Sequence, residues 1–220
     1  MQVLFVVSEA GYWSEECITP LEVLTEEGAD ITVATPSGGE PVIDERSLDP
    51  ESVEDHEHLR EVHETDDRLN DPIPVAEAEM AEYDALVLPG GHGTVWDINQ
   101  DSHTRALLRE AVEADTPALV VCHAVGILAF TRDSDGGFLV DGKDVTGFPN
   151  EWEEGIVDEN DVLPDGEKLP YWVEDEVVAA GGNFDAELES DTSVTVDGAL
   201  LTARGPGSSR AAVETLLDEL

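Results

Sequence analysis

The chain has 220 residues, of which 52 are acidic and only 10 basic, giving a formal net charge of −42. Because 40% of the residues are apolar and the acids are spread through every segment, the composition predicts a folded protein with an acidic surface rather than a disordered chain. A chain with so few basic residues cannot assemble the positive face that nucleic acid requires, and salt would screen its self-repulsion, so we expect a cytoplasmic, halophilic protein.

In chain order, short apolar runs alternate with amphipathic segments. The first run, Val3–Val7, follows no basic leader and is interpreted as a core strand rather than a signal peptide, and no run approaches the ~20 residues of a membrane helix. This alternation predicts one α/β domain over residues 1–220, a flavodoxin-like open and mostly parallel sheet with helices on both faces. The predicted elements are strand Gln2–Val7, helix Glu16–Glu27, strands Asp30–Ala34 and Ala85–Leu88, helix Thr104–Ala114, strand Ala118–Val121 and helix Ala124–Phe130.

Three further elements are predicted after the last of these helices. The pair Asp141-Gly142 and the pair Asp197-Gly198 each separate two β-rich runs, and this dipeptide is typical of tight hairpin turns. The final helix is expected to be capped by Ser208 or Ser209 and to run to the C-terminus.

Residues 37–78 interrupt the pattern with a polar, acidic stretch that contains four prolines. Segments of this length without a core pattern are commonly lids, so we interpret it as a lid-like insertion over the sheet. Its histidines, His56, His58 and His63, invite a zinc hypothesis. On one helix, however, the second would point away from the other two, so we expect no metal site there.

The run from Ala118 to Phe130 carries the most specific signal, because a buried strand leads directly into Cys122 and His123 and then into an apolar helix. This pattern predicts a nucleophile elbow, a strained turn that projects the thiol above the sheet. A thiol at the positive end of a helix is expected to favour the thiolate. The alternative is a buried structural cysteine. The second cysteine, Cys17, lies in another element, so no disulfide is expected.

The loop Leu88-Pro-Gly-Gly-His-Gly93 supplies bare backbone beside the expected pocket. The backbone N–H groups of Gly91 and His123 are candidates for an oxyanion hole, and Gly90 and His92 complete the predicted substrate-binding loop. The loop is too short for a phosphate-binding loop and lacks its lysine, so no nucleotide cofactor is expected.

Together with Glu16-Cys-Ile-Thr-Pro20, Thr146-Gly-Phe-Pro-Asn-Glu-Trp-Glu153 and Asp197–Thr202, these motifs resemble the ThiJ/PfpI superfamily, whose fold is that of class I glutamine amidotransferases. The resemblance covers essentially the whole chain and is greatest to the glyoxalase III branch, which also contains heat-inducible chaperone-like members. It implies Cys122 as nucleophile, His123 as its base, Glu16 as the buried carboxyl beside the thiol and Glu153 as the acidic triad partner, with Glu154 as the alternative.

The implied function is a glutathione-independent glyoxalase, a lyase of the D-lactate dehydratase class that converts methylglyoxal into lactate. The resemblance also implies a homodimer without a cofactor, a small aldehyde as substrate and a role in the stress response. In this chain Val120 and Ala124 replace the small residue and the glycine that usually flank the family's elbow, and Arg204-Gly-Pro206 replaces a polar Gln-Asn-Pro.

Other functions of the same superfamily remain open from the sequence: a deglycase or cysteine peptidase, a cysteine redox sensor, or a holdase that would expose Tyr12, Trp13 or Trp152. Glutamine amidotransferase chemistry is excluded, because it takes its histidine from far downstream of the nucleophile and no histidine follows His123.

Overall fold

A computed structural model describes residues 1–157, 159–186 and 193–220. Within these residues a seven-stranded sheet has the order β3-β2-β1-β4-β5-β9-β8, in which every neighbouring pair is parallel except β8 and β9. A separate parallel pair is formed by β6 and β7. The strands are β1 Gln2–Val6, β2 Asp30–Thr35, β3 Ile73–Pro74, β4 Ala85–Leu88, β5 Ala118–Val121, β6 Asp144–Thr146, β7 Asn183–Asp185, β8 Val194–Asp197 and β9 Leu200–Ala203.

Helices cover both faces of the large sheet, as the continuously apolar strands predict. Alternate residues of β1 enter two different cores. Val3 and Phe5 pack with the helices Ser14–Glu26 and Ser209–Asp218, whereas Leu4 and Val6 pack with the helices Ser102–Glu113 and Val173–Ala179. The predicted flavodoxin-like fold is therefore confirmed. The helices are α1 Ser14–Glu26, α2 His56–Thr65, α3 Asp67–Asn70, α4 Ser102–Glu113, α5 Ile127–Phe130, α6 Asn150–Ile156, α7 Val173–Ala179 and α8 Ser209–Asp218.

One of the two predicted hairpins forms. Strands β8 and β9 pair in antiparallel register from Asp197 opposite Leu200, so the connecting turn lies at residues 198–199. The prediction of a hairpin at Asp141-Gly142 is wrong. The residues before this turn form no strand, and β6 pairs instead with β7, which is distant in sequence. Buried Val140 lies in the same core cluster as Val177 of α7, and the Gly142 N–H donates to the carbonyl of Gly181, which ties this turn to the α7–β7 connection.

Two predictions about helix ends are also corrected. The elbow does not lead into one regular helix over Ala124–Phe130: residues Cys122–Gly126 form a 3₁₀ turn before the short α5. The side chain of Ser208 makes no cap hydrogen bond to α8, and its hydroxyl accepts from the backbone N–H of Ser193 instead.

The insertion, residues 37–78, is more ordered than its composition suggests. It contains α2 and α3, and β3 adds a strand to the edge of the sheet beside β2. Most of its buried apolar residues join the core on the α1 side, whereas Val75 joins the core on the α4 side. These contacts hold the segment against the body of the protein, and the residues on the α1 side are Ile43, Leu48, Val53, Leu59 and Leu69. Its interpretation as a lid stays a prediction.

The three histidines of the insertion lie on α2 and have separate partners. His56 Nδ1 contacts the Val53 carbonyl at 2.9 Å, His58 contacts Glu22 at 2.7 Å, and His63 Nδ1 lies 2.9 Å from the Tyr12 hydroxyl. No helix among the described residues combines the length and apolar content needed to cross a membrane.

Candidate active site

The nucleophile elbow lies at the carboxyl end of β5. Cys122 has φ of 58°, in the left-handed region that residues with a side chain rarely occupy, and this strain turns the chain sharply above the sheet. Val120 and Ala124, which depart from the family's usual residues, are fully buried in the core on the α4 side. The larger side chains are therefore accommodated, and the strained turn at the cysteine is retained.

Glu16 lies on the first turn of α1, fully buried beside the thiol. Gly90 allows this approach, since a Cβ at Gly90 would lie 2.5 Å from a Glu16 oxygen and 2.6 Å from the Cys122 Cβ. Burial raises the pKa of Glu16 to about 8, and the adjacent Cys122 thiol and Gly90 N–H offset this only in part. Among the described residues, none completes a full hydrogen bond to either carboxyl oxygen. The carboxyl is therefore neutral at pH 7 and can donate a proton toward sulfur.

Burial opposes the thiolate that the elbow is expected to favour, so the resting thiolate stays a prediction. Burial is the largest influence and raises the pKa of the Cys122 thiol above its usual value, whereas a proton that Glu16 directs toward the sulfur favours the thiolate. The short 3₁₀ turn after Cys122 supplies little helix dipole to oppose the effect of burial. The backbone N–H groups of His123 and Gly91 do face the sulfur and lower its pKa in part. These are the two predicted oxyanion-hole donors, and the structure brings them together.

His123 contacts the thiol and a carboxylate with its two ring nitrogens. Its Nδ1 lies 3.2 Å from Cys122 Sγ, and its Nε2 lies 2.6 Å from an oxygen of Glu153 on α6. Burial, and next the neighbouring His92, lower the pKa of His123 to about 4 even though Glu153 opposes this. The imidazole is therefore neutral at pH 7, with its proton on Nε2 and a free Nδ1 that accepts from the thiol.

Glu153 is buried, whereas Glu154 is exposed, so the acidic partner of the histidine is Glu153. Its second oxygen lies 2.9 Å from Nε2 of His92, a residue predicted only as part of the substrate-binding loop. Burial by itself would raise the pKa of Glu153, but the hydrogen bonds from His123 and His92 outweigh it and lower the pKa to about 2. One carboxylate thus serves two imidazoles whose ring centroids lie 4.0 Å apart.

Arg46, from the insertion, was not predicted at this site. Its Nη2 lies 3.4 Å from Nδ1 of His92, and Asp44 holds it through Nε at 2.9 Å and Nη2 at 2.5 Å. No signal in the sequence singles out Arg46, because the insertion also contains Arg60 and Arg68. Arg46 and His92 also line a cavity of about 500 Å³, together with Ala10, Gly11, Val42, Ile43, Asp44, Glu45, Gly93, Trp96, Leu163, Pro164, Asp165 and Glu167.

Aromatic side chains of the 146–153 segment support the histidine pair. Phe148 stacks on His123 with ring centroids 4.4 Å apart, and Trp152 meets Phe148 edge to face at 5.6 Å. The guanidinium of fully buried Arg204 lies 5.8 Å from the Trp152 ring and donates to the Asp185 carbonyl. The segment was singled out in the sequence, but the stacking role of Phe148 was missed because it depends on the fold.

Tyr12, Trp13 and Trp152 are the aromatic residues that a holdase would need to expose. Tyr12 is fully buried and Trp13 and Trp152 are half-buried, so these aromatics do not form an exposed apolar patch.

His92, His123 and Glu153 carry atoms that could bind a metal ion, and these atoms lie within 4.8 Å of one another. Both imidazoles direct Nε2 at the carboxylate, and we interpret the group as a hydrogen-bonded triad.

A family model described as the DJ-1/PfpI family matches residues 1–219. A relative from Schizosaccharomyces pombe, named probable glutathione-independent glyoxalase hsp3104, is 27% identical over 147 residues, which are 66% of this chain and 64% of the relative. The match thus covers less than two thirds of that relative. A relative from Staphylococcus aureus, strain bovine RF122 / ET3-1, named protein/nucleic acid deglycase HchA, is 25% identical over 208 residues, 93% of this chain and 70% of the relative.

Among solved structures, glyoxalase III from Candida albicans is similar with a TM-score of 0.82 and 22% sequence identity, covering 100% of this chain and 97% of that one. Drosophila melanogaster DJ-1beta is similar with a TM-score of 0.67 and 22% identity, covering 100% of this chain and 89% of that one. At these identities the likeness shows the shared fold.

Proposed function

Because the chain belongs to the DJ-1/PfpI family, we propose that it is a glutathione-independent glyoxalase that converts methylglyoxal into lactate with Cys122 as nucleophile. The observation that carries the proposal is the position of the thiol between the buried Glu16 carboxyl and the His123 imidazole. Glu16 and His123 both border the sulfur, and the N–H groups of Gly91 and His123 face it. Such a site can take up the thiol proton as the sulfur attacks a substrate.

In the first step, sulfur attacks the aldehyde carbon of methylglyoxal and the thiol proton moves to Nδ1 of His123. Glu153 stabilises the imidazolium, since its carboxylate stays charged. The aldehyde oxygen gains the negative charge and is held by the two backbone donors until it takes a proton. The product of this step is a hemithioacetal bonded to Cys122.

In the second step, a base removes the hydrogen on the carbon bonded to sulfur, and a proton returns to the neighbouring carbon. His123 and Glu16 are the two groups in reach of the sulfur that can take and give protons. The result is a lactoyl thioester. Water then hydrolyses it to lactate and free thiol, so the balance is one methylglyoxal plus one water to one lactate, with no external oxidant or reductant.

The direct test is lactate formation from methylglyoxal without glutathione, in molar KCl. We expect turnover by the native protein and a loss of about 10³-fold or more in Cys122→Ala, because the covalent route is removed. The matched control is Cys17→Ala, since Cys17 is also buried and lies on the core-facing side of α1. Absence of lactate with native protein, or equal rates for native protein and Cys122→Ala, would sink the proposal.

A further inference from the structure

Asp97 joins two loops that meet beside the nucleophile. The β1–α1 loop is residues 8–13, and the glycine loop is residues 90–97, which follow β4. Oδ2 of Asp97 accepts a hydrogen bond from the Ser8 hydroxyl at 2.8 Å and from the backbone N–H groups of the next two residues at 2.8 Å and 3.1 Å. One carboxyl oxygen at the end of the glycine loop thus holds the first half of the β1–α1 loop.

Ser8 extends this hold within the β1–α1 loop. Its side chain is fully buried and donates to Asp97, and its oxygen accepts from the N–H groups of Ala10 at 3.0 Å and Gly11 at 3.1 Å. The backbone N–H groups of residues 9–11 therefore all bond to Asp97 or Ser8. Because each of these donors has a side-chain partner, the two side chains together set the conformation of the loop.

The second half of the β1–α1 loop bonds to the glycine loop through the backbone. The Trp13 N–H donates to the Gly90 carbonyl at 3.0 Å, and the Gly93 N–H donates to the Gly11 carbonyl at 3.0 Å. Between these bonds the two backbones are in close contact, since a Cβ at Gly91 would lie 2.6 Å from the Trp13 nitrogen and 2.7 Å from the Gly11 oxygen. Gly91 also has φ of 111°, a conformation that favours glycine. The β1–α1 loop therefore sets the position of Gly91.

The peptide bond between Gly90 and Gly91 transmits this constraint to the sulfur. Its carbonyl oxygen accepts from Trp13, and its N–H is the donor that faces Cys122. In a planar trans peptide the C=O and N–H bonds point in opposite directions. A hydrogen bond that fixes the carbonyl therefore also fixes the direction of the N–H, which here points to the place where negative charge develops during the reaction.

We infer that Asp97 is a positioning residue that holds the β1–α1 loop in the conformation from which Trp13 directs the Gly91 N–H toward the reacting atoms at Cys122. Asp97 acts through its hydrogen bonds to the loop and supplies no group to the reaction. The inference rests on the proposed function in that Cys122 is the nucleophile and Gly91 an oxyanion donor. One of its two tests requires no glyoxalase turnover.

The first test compares kcat and KM for methylglyoxal, without glutathione and in molar KCl. In Asp97→Ala the Gly91 donor is misdirected but still present, so we expect kcat to fall by about tenfold, less than the ~10²-fold loss on complete removal of such a donor. KM is expected to stay within about twofold of native, because the donor acts mainly on charge that develops in the transition state. Asp97→Asn keeps an oxygen that can face the loop and is expected to recover kcat to within about threefold of native.

The chain offers a matched control in Asp101, four residues later. Its Oδ1 accepts from the Thr104 N–H at 2.7 Å and from the Thr104 hydroxyl at 2.9 Å, and so caps α4. Asp101→Ala removes a carboxyl of the same kind outside the two loops, so we expect its kcat to stay within about twofold of native. The inference is overturned if Asp97→Ala keeps the native kcat, if its loss is confined to KM, or if Asp101→Ala loses kcat equally.

The second test is the rate at which iodoacetamide alkylates Cys122 near pH 7, read from the Cys122 peptide by mass spectrometry. The Gly91 N–H favours negative charge on the sulfur, so a misdirected donor slows the reaction. A site that is merely loosened would instead admit the reagent faster. We expect Asp97→Ala to react about threefold more slowly than native protein.

Ser8→Ala is a milder variant for the same measurement, because it removes one hydroxyl that bonds to Asp97 and leaves the carboxyl in place. It is also expected to react more slowly than native protein, which keeps the inference testable if Asp97→Ala does not fold. Unchanged or faster alkylation in the folded variants would overturn the inference. If the native protein forms no lactate, the glyoxalase proposal fails, whereas the alkylation rates still decide the role of Asp97.

Discussion

Phe148 stacks on His123, with ring centroids 4.4 Å apart and planes inclined by 26°. The contact fixes the plane of the imidazole so that its two nitrogens can meet Cys122 and Glu153 together. Because Phe148 lies two residues after Thr146 of β6 and two before α6, the segment that supplies Glu153 also supplies the surface that orients the histidine.

We expect Phe148→Ala to lower kcat by about tenfold, because a loosely held imidazole spends less time in line with the thiol. Phe148→Tyr keeps the ring and is expected to stay within about threefold of native activity. The control is Phe138→Ala, which removes a ring that packs under Arg132 outside the site. Equal losses in Phe148→Ala and Phe138→Ala would indicate general destabilisation and contradict the prediction.

Glu16 makes the stability of the fold depend on pH. Its pKa is raised from an ordinary 4.5 to about 8, so the folded state holds a proton that the unfolded state releases. Stability therefore falls as pH rises through this window, by about 1.4 kcal/mol for each pH unit. Glu16→Gln lacks this titration. The difference in free energy of unfolding, Glu16→Gln minus native, is therefore expected to increase steadily between about pH 5 and pH 8. Urea denaturation in molar KCl measures the difference, and a difference that stays constant with pH would exclude a raised pKa.

Two glycines offer opposite outcomes for the same substitution. In Gly90→Ala the new Cβ would lie 2.5 Å from both a Glu16 oxygen and the Val121 carbonyl, so we expect a loss of at least about 2 kcal/mol. In Gly155→Ala, within α6, the new Cβ meets nothing within 4 Å, and we expect a gain of roughly 0.5–1 kcal/mol. Thermal unfolding of the two variants measures both changes, and a tolerated Gly90→Ala would mean that the elbow and α1 are less closely packed than the structure has them.

The net charge of −42 predicts a strong dependence of stability on salt. Raising KCl from about 0.1 M to about 2 M shortens the screening length from about 10 Å to about 2 Å, which weakens repulsion between acids across the surface. We expect the midpoint of thermal unfolding to rise by on the order of 10 °C. Sucrose solutions provide the control for solute exclusion, since sucrose does not screen charge. A rise as large in sucrose as in KCl would argue against charge screening.

The sequence by itself determined the fold class and predicted four residues of the candidate site that the structure brings together. The strands β4 and β5 were predicted at their observed bounds. A short, continuously apolar run is typical of a strand that is covered on both faces of the sheet, and this pattern is visible within a few residues. Glu16, Cys122, His123 and Glu153 were named from motif and resemblance, and the structure places all four together. Cys122 and His123 follow the end of β5, and Glu16 lies on the helix after β1; parallel strands bring these ends to one edge of the sheet.

Only the tertiary structure decided what those residues are in contact with. The second histidine on Glu153, the arginine from the insertion and the pairing of β6 with β7 join positions far apart in the chain, and no local pattern carries them. The protonation of Cys122 depends likewise on packing: a helix-start motif suggested a thiolate, but burial of the side chain raises the pKa of the thiol. Hydrophobic periodicity records whether a residue faces the core, whereas desolvation and hydrogen bonding depend on which distant groups share that core.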